Sequence, residues 1–106
     1  MKNIELNKVL EIKALVDYLE GQIVSKTFVQ NSSVSMTLMA FWKGEEISAH
    51  ESDGDAMVTV LDGTGKFTVG EKEHIVKCGE TLVMPANVPH AVYGQENFKM
   101  LLTVVF

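Results

Sequence analysis

A chain of 106 residues with a formal net charge of -5 is sized for one domain around one core. With 46% hydrophobic and 22% charged residues, two prolines and eight glycines, it has neither a disordered nor a fibrous composition. The acidic balance and nine scattered basic residues argue against nucleic acid as a partner, because binding a phosphate backbone rests on clustered Lys and Arg.

The N-terminal segment is interrupted by Glu5, Asn7, Lys8, Glu11 and Lys13, so it holds no apolar stretch of secretory length. No window approaches the ~18 apolar residues that span a bilayer. Cys78 has no second cysteine to pair with. The expectation is a cytoplasmic protein without a membrane partner.

In chain order, Val9–Leu19 comes first and is ambiguous. Val9, Leu10, Ile12, Leu15, Val16 and Leu19 are partly helix-spaced, which predicts a short helix over 14–19 stopped by Gly21, with 9–12 as a candidate edge strand. From there the period is two. Segments 22–30 and 34–42 read as strands joined by the turn Asn31-Ser32-Ser33. In the second of them Val34, Met36, Leu38, Ala40 and Trp42 share the more apolar face, which predicts that this face covers the core. Further strands are expected at 46–50, 56–61, 66–69, 74–77, 81–84, 90–93 and 98–106. Gly70-Glu71-Lys72-Glu73 serves as a hairpin turn and Pro85 as a stop. Short strands with turn signals at this spacing predict an all-β sandwich or barrel. The last segment, FKMLLTVVF, is too apolar for an exposed edge and is expected to be central or covered in a dimer.

Two stretches carry a family pattern. One runs from Gly44 through His50, Ser52 and Ala56 to Gly63. The other runs from Gly79 through Pro85, Asn87 and Pro89 to His90 and on to about residue 94. Their order and spacing resemble the paired motifs of the cupin superfamily. The resemblance implies one domain over 1–106: a double-stranded β-helix, or RmlC-like jelly-roll barrel, with a short N-terminal helical segment. It also implies a homodimer. Asn87 stands where the family pattern has glycine, and Asn is the side chain that best tolerates the left-handed backbone glycine supplies.

Where cupins hold a metal, the first motif gives two His and a Glu and the second gives one His. Here His50 and His90 match, while Ser52 and Ala56 replace the second His and the Glu. Two imidazoles fall short of the three protein ligands usual in catalytic zinc sites. Asp55, beside Ala56, would complete a two-His-one-carboxylate set for Fe, Ni, Mn or Zn if a bulge turned it inward. Strand alternation with inward Ala56, Val58 and Val60 turns it outward. The competing reading is a pair of histidines bonded to each other, to Ser52 or to water.

The expected interior is an apolar pocket of Met36, Leu38, Val58, Val60 and Val92, joined by Met100 and Leu102, with His50, Ser52 and His90 as its polar groups. That composition suits a small molecule and, lacking Lys or Arg, disfavours a phosphorylated or multiply anionic one. The family's dioxygenases and isomerases keep an enzyme reading open, metal-dependent or with an imidazole as acid or base. A structural or assembly role is the third. His74 is expected exposed, the methionines to fill the core, and Phe41, Trp42, Tyr93 and Phe98 to pack a barrel end or a dimer contact, or to cap the cavity mouth.

Overall fold

The computed structural model describes residues 1–106. A single turn of 3-10 helix at Ile12–Leu15 precedes nine strands: β1 (Ile23–Gln30), β2 (Val34–Phe41), β3 (Glu46–His50), β4 (Asp55–Asp62), β5 (Thr64–Val69), β6 (Lys72–Lys77), β7 (Thr81–Met84), β8 (His90–Gly94) and β9 (Phe98–Val105). These bounds lie within a few residues of those expected from period-two alternation and turn residues. The N-terminal expectation was less accurate. The helical turn falls at 12–15 rather than 14–19, residues 9–12 form no strand, and Gly21 (φ 69°) sits in a turn closed by Gln22 N–H donating to Leu19 O.

Two antiparallel sheets build the jelly roll, one ordered β1-β2-β9-β4-β7 and the other β3-β8-β5-β6. The apolar terminal strand β9 lies between β2 and β4, so one chain satisfies both its edges. Between the sheets, Val58, Val60, Phe67, Phe98, Phe41 and Met100 are buried. Phe41 and Phe98 stack with centroids 4.6 Å apart, and Phe67 meets Phe98 edge-on at 6.0 Å. These rings close one end of the barrel. Gly65 makes the packing feasible, since a Cβ there would stand 2.8 Å from the Phe98 ring.

A second apolar layer covers the outside of the five-stranded sheet. Val16, Phe28, Leu38 and Ala40 are its buried centre, with Ile12, Leu15, Tyr18, Met36 and Leu101 packed around them. Strand β2 is therefore covered on both faces. Its register with β9 shows which face is which: Met39 and Phe41 pair with Met100 and Phe98 toward the barrel, whereas Leu38 pairs with Leu101 toward the outer layer. The polar groups of this layer tie it down. Tyr18 Oη donates to Asp62 Oδ2, Lys99 Nζ donates to Lys13 O at 2.8 Å, and Lys2 N–H donates to Phe28 O at 2.9 Å. Burial and the Asp62 carboxylate both raise the Tyr18 pKa, so the phenol stays protonated.

Candidate ligand site

The barrel's other end is open. Strands β3 and β8 pair so that His50 and His90 are directly opposite, although the ladder is irregular between Ile47 and His50. Their rings meet edge to face with centroids 4.3 Å apart. Each is held in the same way. His50 Nδ1–H donates to Ser48 O at 3.1 Å, and His90 Nδ1–H donates to Val88 O at 3.2 Å. A carbonyl only accepts, so each Nδ1 carries the proton and each Nε2 is left as an acceptor.

The two rings differ in burial. His50 stands exposed at the mouth, while His90 is 4% exposed. Burial, helped by the neighbouring His50, lowers the His90 pKa below the ordinary histidine value and outweighs its bond to Val88 O. His90 Nε2 has no protein partner, yet no buried polar atom is left without one, so this nitrogen opens onto the cavity.

The cavity has a volume of about 390 Å³. Ala56, Met84, Val92, Met100, Leu102 and Val104 form its apolar wall, with Ile47 and Phe106 nearer the opening. Glu51, Ser52 and Asp53 come from the loop between β3 and β4, and no Lys or Arg lines it. That loop is fastened to the turn between β7 and β8. Asn87 N–H donates to Ser52 O at 2.8 Å, and Ala86 N–H donates to Asp55 Oδ1 at 2.9 Å. Asn87 adopts φ 62°, the conformation expected of it at the glycine position. A Cβ on Gly54 would stand 2.5 Å from Val105 O, so a glycine allows the loop to lie against β9.

Of the residues singled out from sequence, the structure brings His50, Ser52, His90 and Val92 to this cavity, together with Met100 and Leu102. Val58 and Val60 point between the sheets but lie deeper, in the closed core. Met36 and Leu38 require correction, since both face the outer layer. Asp55 also requires correction. It is exposed, outside the cavity, and committed to the Ala86 amide. His74, expected at the surface, is half-buried opposite Phe67, and Ile75 is the exposed neighbour. Phe41 and Phe98 pack the closed end rather than the mouth, while Tyr93 lies under Lys66 Nζ, which is 5.3 Å from its ring.

Ile47, Met84, Val104 and Phe106 were missed. Alternation extended from Ala56 and Met100 along their strands reaches Val104, and Met84 lies opposite Ala56 in the register. Nothing in the pattern signals Ile47 or Phe106.

A metal does not fit these residues. With Asp55 turned away, Ser52 Oγ accepting from Gly54 N–H at 3.2 Å and alanine at position 56, the motif positions supply two imidazoles, and the exposed Glu51 and Asp53 of the cavity mouth are not grouped with them as ligands. No three His, Cys, Asp or Glu side chains are grouped closely enough to hold an ion.

Comparison with known proteins agrees with the architecture. The cupin domain profile matches residues 37–106, which include both histidines and every strand from β3 onward. The chain belongs to the cupin superfamily. A conserved protein of unknown function from Streptococcus pyogenes is 45% identical to this cupin, with a TM-score of 0.96 over 97% of this chain and 90% of that one. A cupin superfamily protein from Desulfitobacterium hafniense is 28% identical, with a TM-score of 0.94 over 99% and 96%. A cupin 2 conserved barrel domain protein from Leptotrichia buccalis is 55% identical, with a TM-score of 0.87 over 88% of this chain, but this cupin spans only 45% of its length. No curated protein matches the chain. No helix is long and apolar enough to cross a membrane.

Proposed function

We propose that this cupin is a small-molecule-binding module whose ligand sits in the open end of the barrel against His50 and His90. The observation that carries the reading is His90 Nε2, an acceptor without a protein partner on a buried residue, which opens onto a cavity with a mostly apolar wall. An acceptor that opens onto a cavity in this way is left for water or a ligand to meet. An apolar pocket with a few convergent polar groups is the common form of a small-molecule site. A fragment screen by thermal melting tests it. Ligands that raise the melting temperature of the wild type and not of His90→Ala support the reading. A screen in which every hit acts equally on both proteins contradicts it.

A second reading is acid–base catalysis without metal. The lowered pKa of His90 supports it, because this imidazole is a free base at neutral pH. It is the weaker reading, because each Nδ1 rests on a backbone carbonyl and no carboxylate orients either ring.

A further inference from the structure

The mouth and the depth of the cavity carry different chemistry, and together they select one class of ligand. Glu51 and Asp53 are exposed at the opening, and neither forms a salt bridge with Lys or Arg. Below them the two histidines present Nε2 as acceptors, because both Nδ1–H groups are used on Ser48 O and Val88 O. Deeper still the wall is apolar, with Met100 and Leu102 among its side chains. The site therefore offers acceptors and negative charge to a ligand's head and hydrocarbon to its tail. It offers no cation to a carboxylate or phosphate.

Resting on the ligand-binding reading above, we infer that this cavity takes an apolar primary amine. Its ammonium group would donate to the Nε2 atoms of His50 and His90 while Glu51 and Asp53 balance its charge. An ammonium carries three N–H donors and accepts nothing, which complements a site where two imidazoles and two carboxylates accept and the Ser52 hydroxyl is the one side-chain donor. A carboxylate in the same place would face two acceptor nitrogens and two like charges, and an alcohol would satisfy one acceptor without answering the carboxylates. The lowered pKa of His90 favours the same choice, since an unprotonated ring neither repels the ammonium nor gives up its lone pair.

A matched series tests this by calorimetric titration of the full chain: phenethylamine, phenethyl alcohol and phenylacetate. The skeleton is constant and only the head changes. The expected order places the amine first by about tenfold over the alcohol, with phenylacetate weakest, as two partly exposed carboxylates would give. In a Glu51→Gln, Asp53→Asn double variant the advantage of the amine over the alcohol should disappear. These side chains are exposed at the loop surface, so the fold does not depend on them. Binding by the alcohol or the acid as tight as that of the amine would overturn the amine assignment and leave the cavity reading standing. An amine preference that survives in the double variant would overturn the role of the carboxylates. If none of the three binds, the amine assignment fails, and the ligand-binding reading is decided separately by the fragment screen on wild type and His90→Ala.

Discussion

His50 and His90 are cross-strand partners, their rings 4.3 Å apart, and each ties Nδ1 to the carbonyl two residues before it in the chain. This shared anchor places a proton of each ring on Nδ1 and leaves two acceptors side by side, one exposed and one buried. Neither a stacked core pair nor a hydrogen bond from one ring to the other would do so.

The burial of His90 makes stability depend on pH. Its pKa is lowered in the folded chain, so below about 6.5 the unfolded state takes up a proton that the folded state resists. The stabilisation from the neutral ring is fully present above that value. It is lost as pH falls from there through the lowered folded pKa. His50, Glu51 and Asp53 share the cavity, and of these the positive charge of a protonated His50 would oppose protonation of His90 further. Denaturant titrations between pH 7.5 and 5 should show falling stability in the wild type and a flatter profile in His90→Gln. Parallel profiles would place the sensitive group elsewhere.

Asp55 is expected to act as a clamp between two loops. Replacing it with Ala removes the acceptor for Ala86 N–H and should lower stability by about 1 kcal/mol. Asp55→Asn keeps an acceptor and should recover most of the loss. Urea unfolding of both variants checks this, and equal losses would mean that charge, not the hydrogen bond, is what matters.

Metal content follows from the same placement. Protein expressed without a histidine tag in metal-supplemented medium should carry Fe, Ni, Mn and Zn well below one per chain by mass spectrometry. Stoichiometric metal that disappears in both His50→Ala and His90→Ala would show a third ligand that the donor set here lacks.

Asn87 holds a left-handed conformation in the turn fastened to the loop at the cavity mouth. Asn87→Gly should be close to neutral, and Asn87→Ala should lose roughly 1 kcal/mol, since only the alanine brings strain without a side chain suited to it. The closed end of the barrel is far less tolerant. Phe41→Ala opens a void beside Phe98 at a fully buried position and should cost about 3–5 kcal/mol, comparable to the whole stability of a small domain. A melting curve near that of the wild type would mean the aromatic cluster is not the keystone of the core.

The strands were legible because alternation and turn residues mark them locally. Gly44, Gly63, Gly79 and Asn87 all adopt positive φ where the motif needs a turn. The orientation of β2 was not legible. Both its faces are apolar, and a period of two cannot say which faces inward when a second layer covers the outside. The more apolar face, with Met36 and Leu38, belongs to the layer completed by Val16 and Phe28, which comes from sequence far from the motifs. Residues 1–22 were hard to read for the related reason that they cover a sheet and have almost no regular structure of their own. In the site, His50 and His90 could be named from spacing, and alternation already turned Asp55 outward, but its bond to the Ala86 amide, 31 positions away, could not be read locally. The acidic mouth emerges only when the loop after β3 is placed over the cavity.

The central claim is that both histidines present Nε2 to a ligand in the open barrel end. Nitrogen NMR of histidine-labelled protein, titrated with phenethylamine, tests it most directly. Before titration, His90 should show a protonated Nδ1 and an unprotonated Nε2 at neutral pH, and His50 a hydrogen-bonded Nδ1–H. On titration both Nε2 signals should shift together while those of His74, on β6, stay in place. Rings found in the opposite tautomer, or a titration that moves His74 and leaves the pair unchanged, would contradict the account.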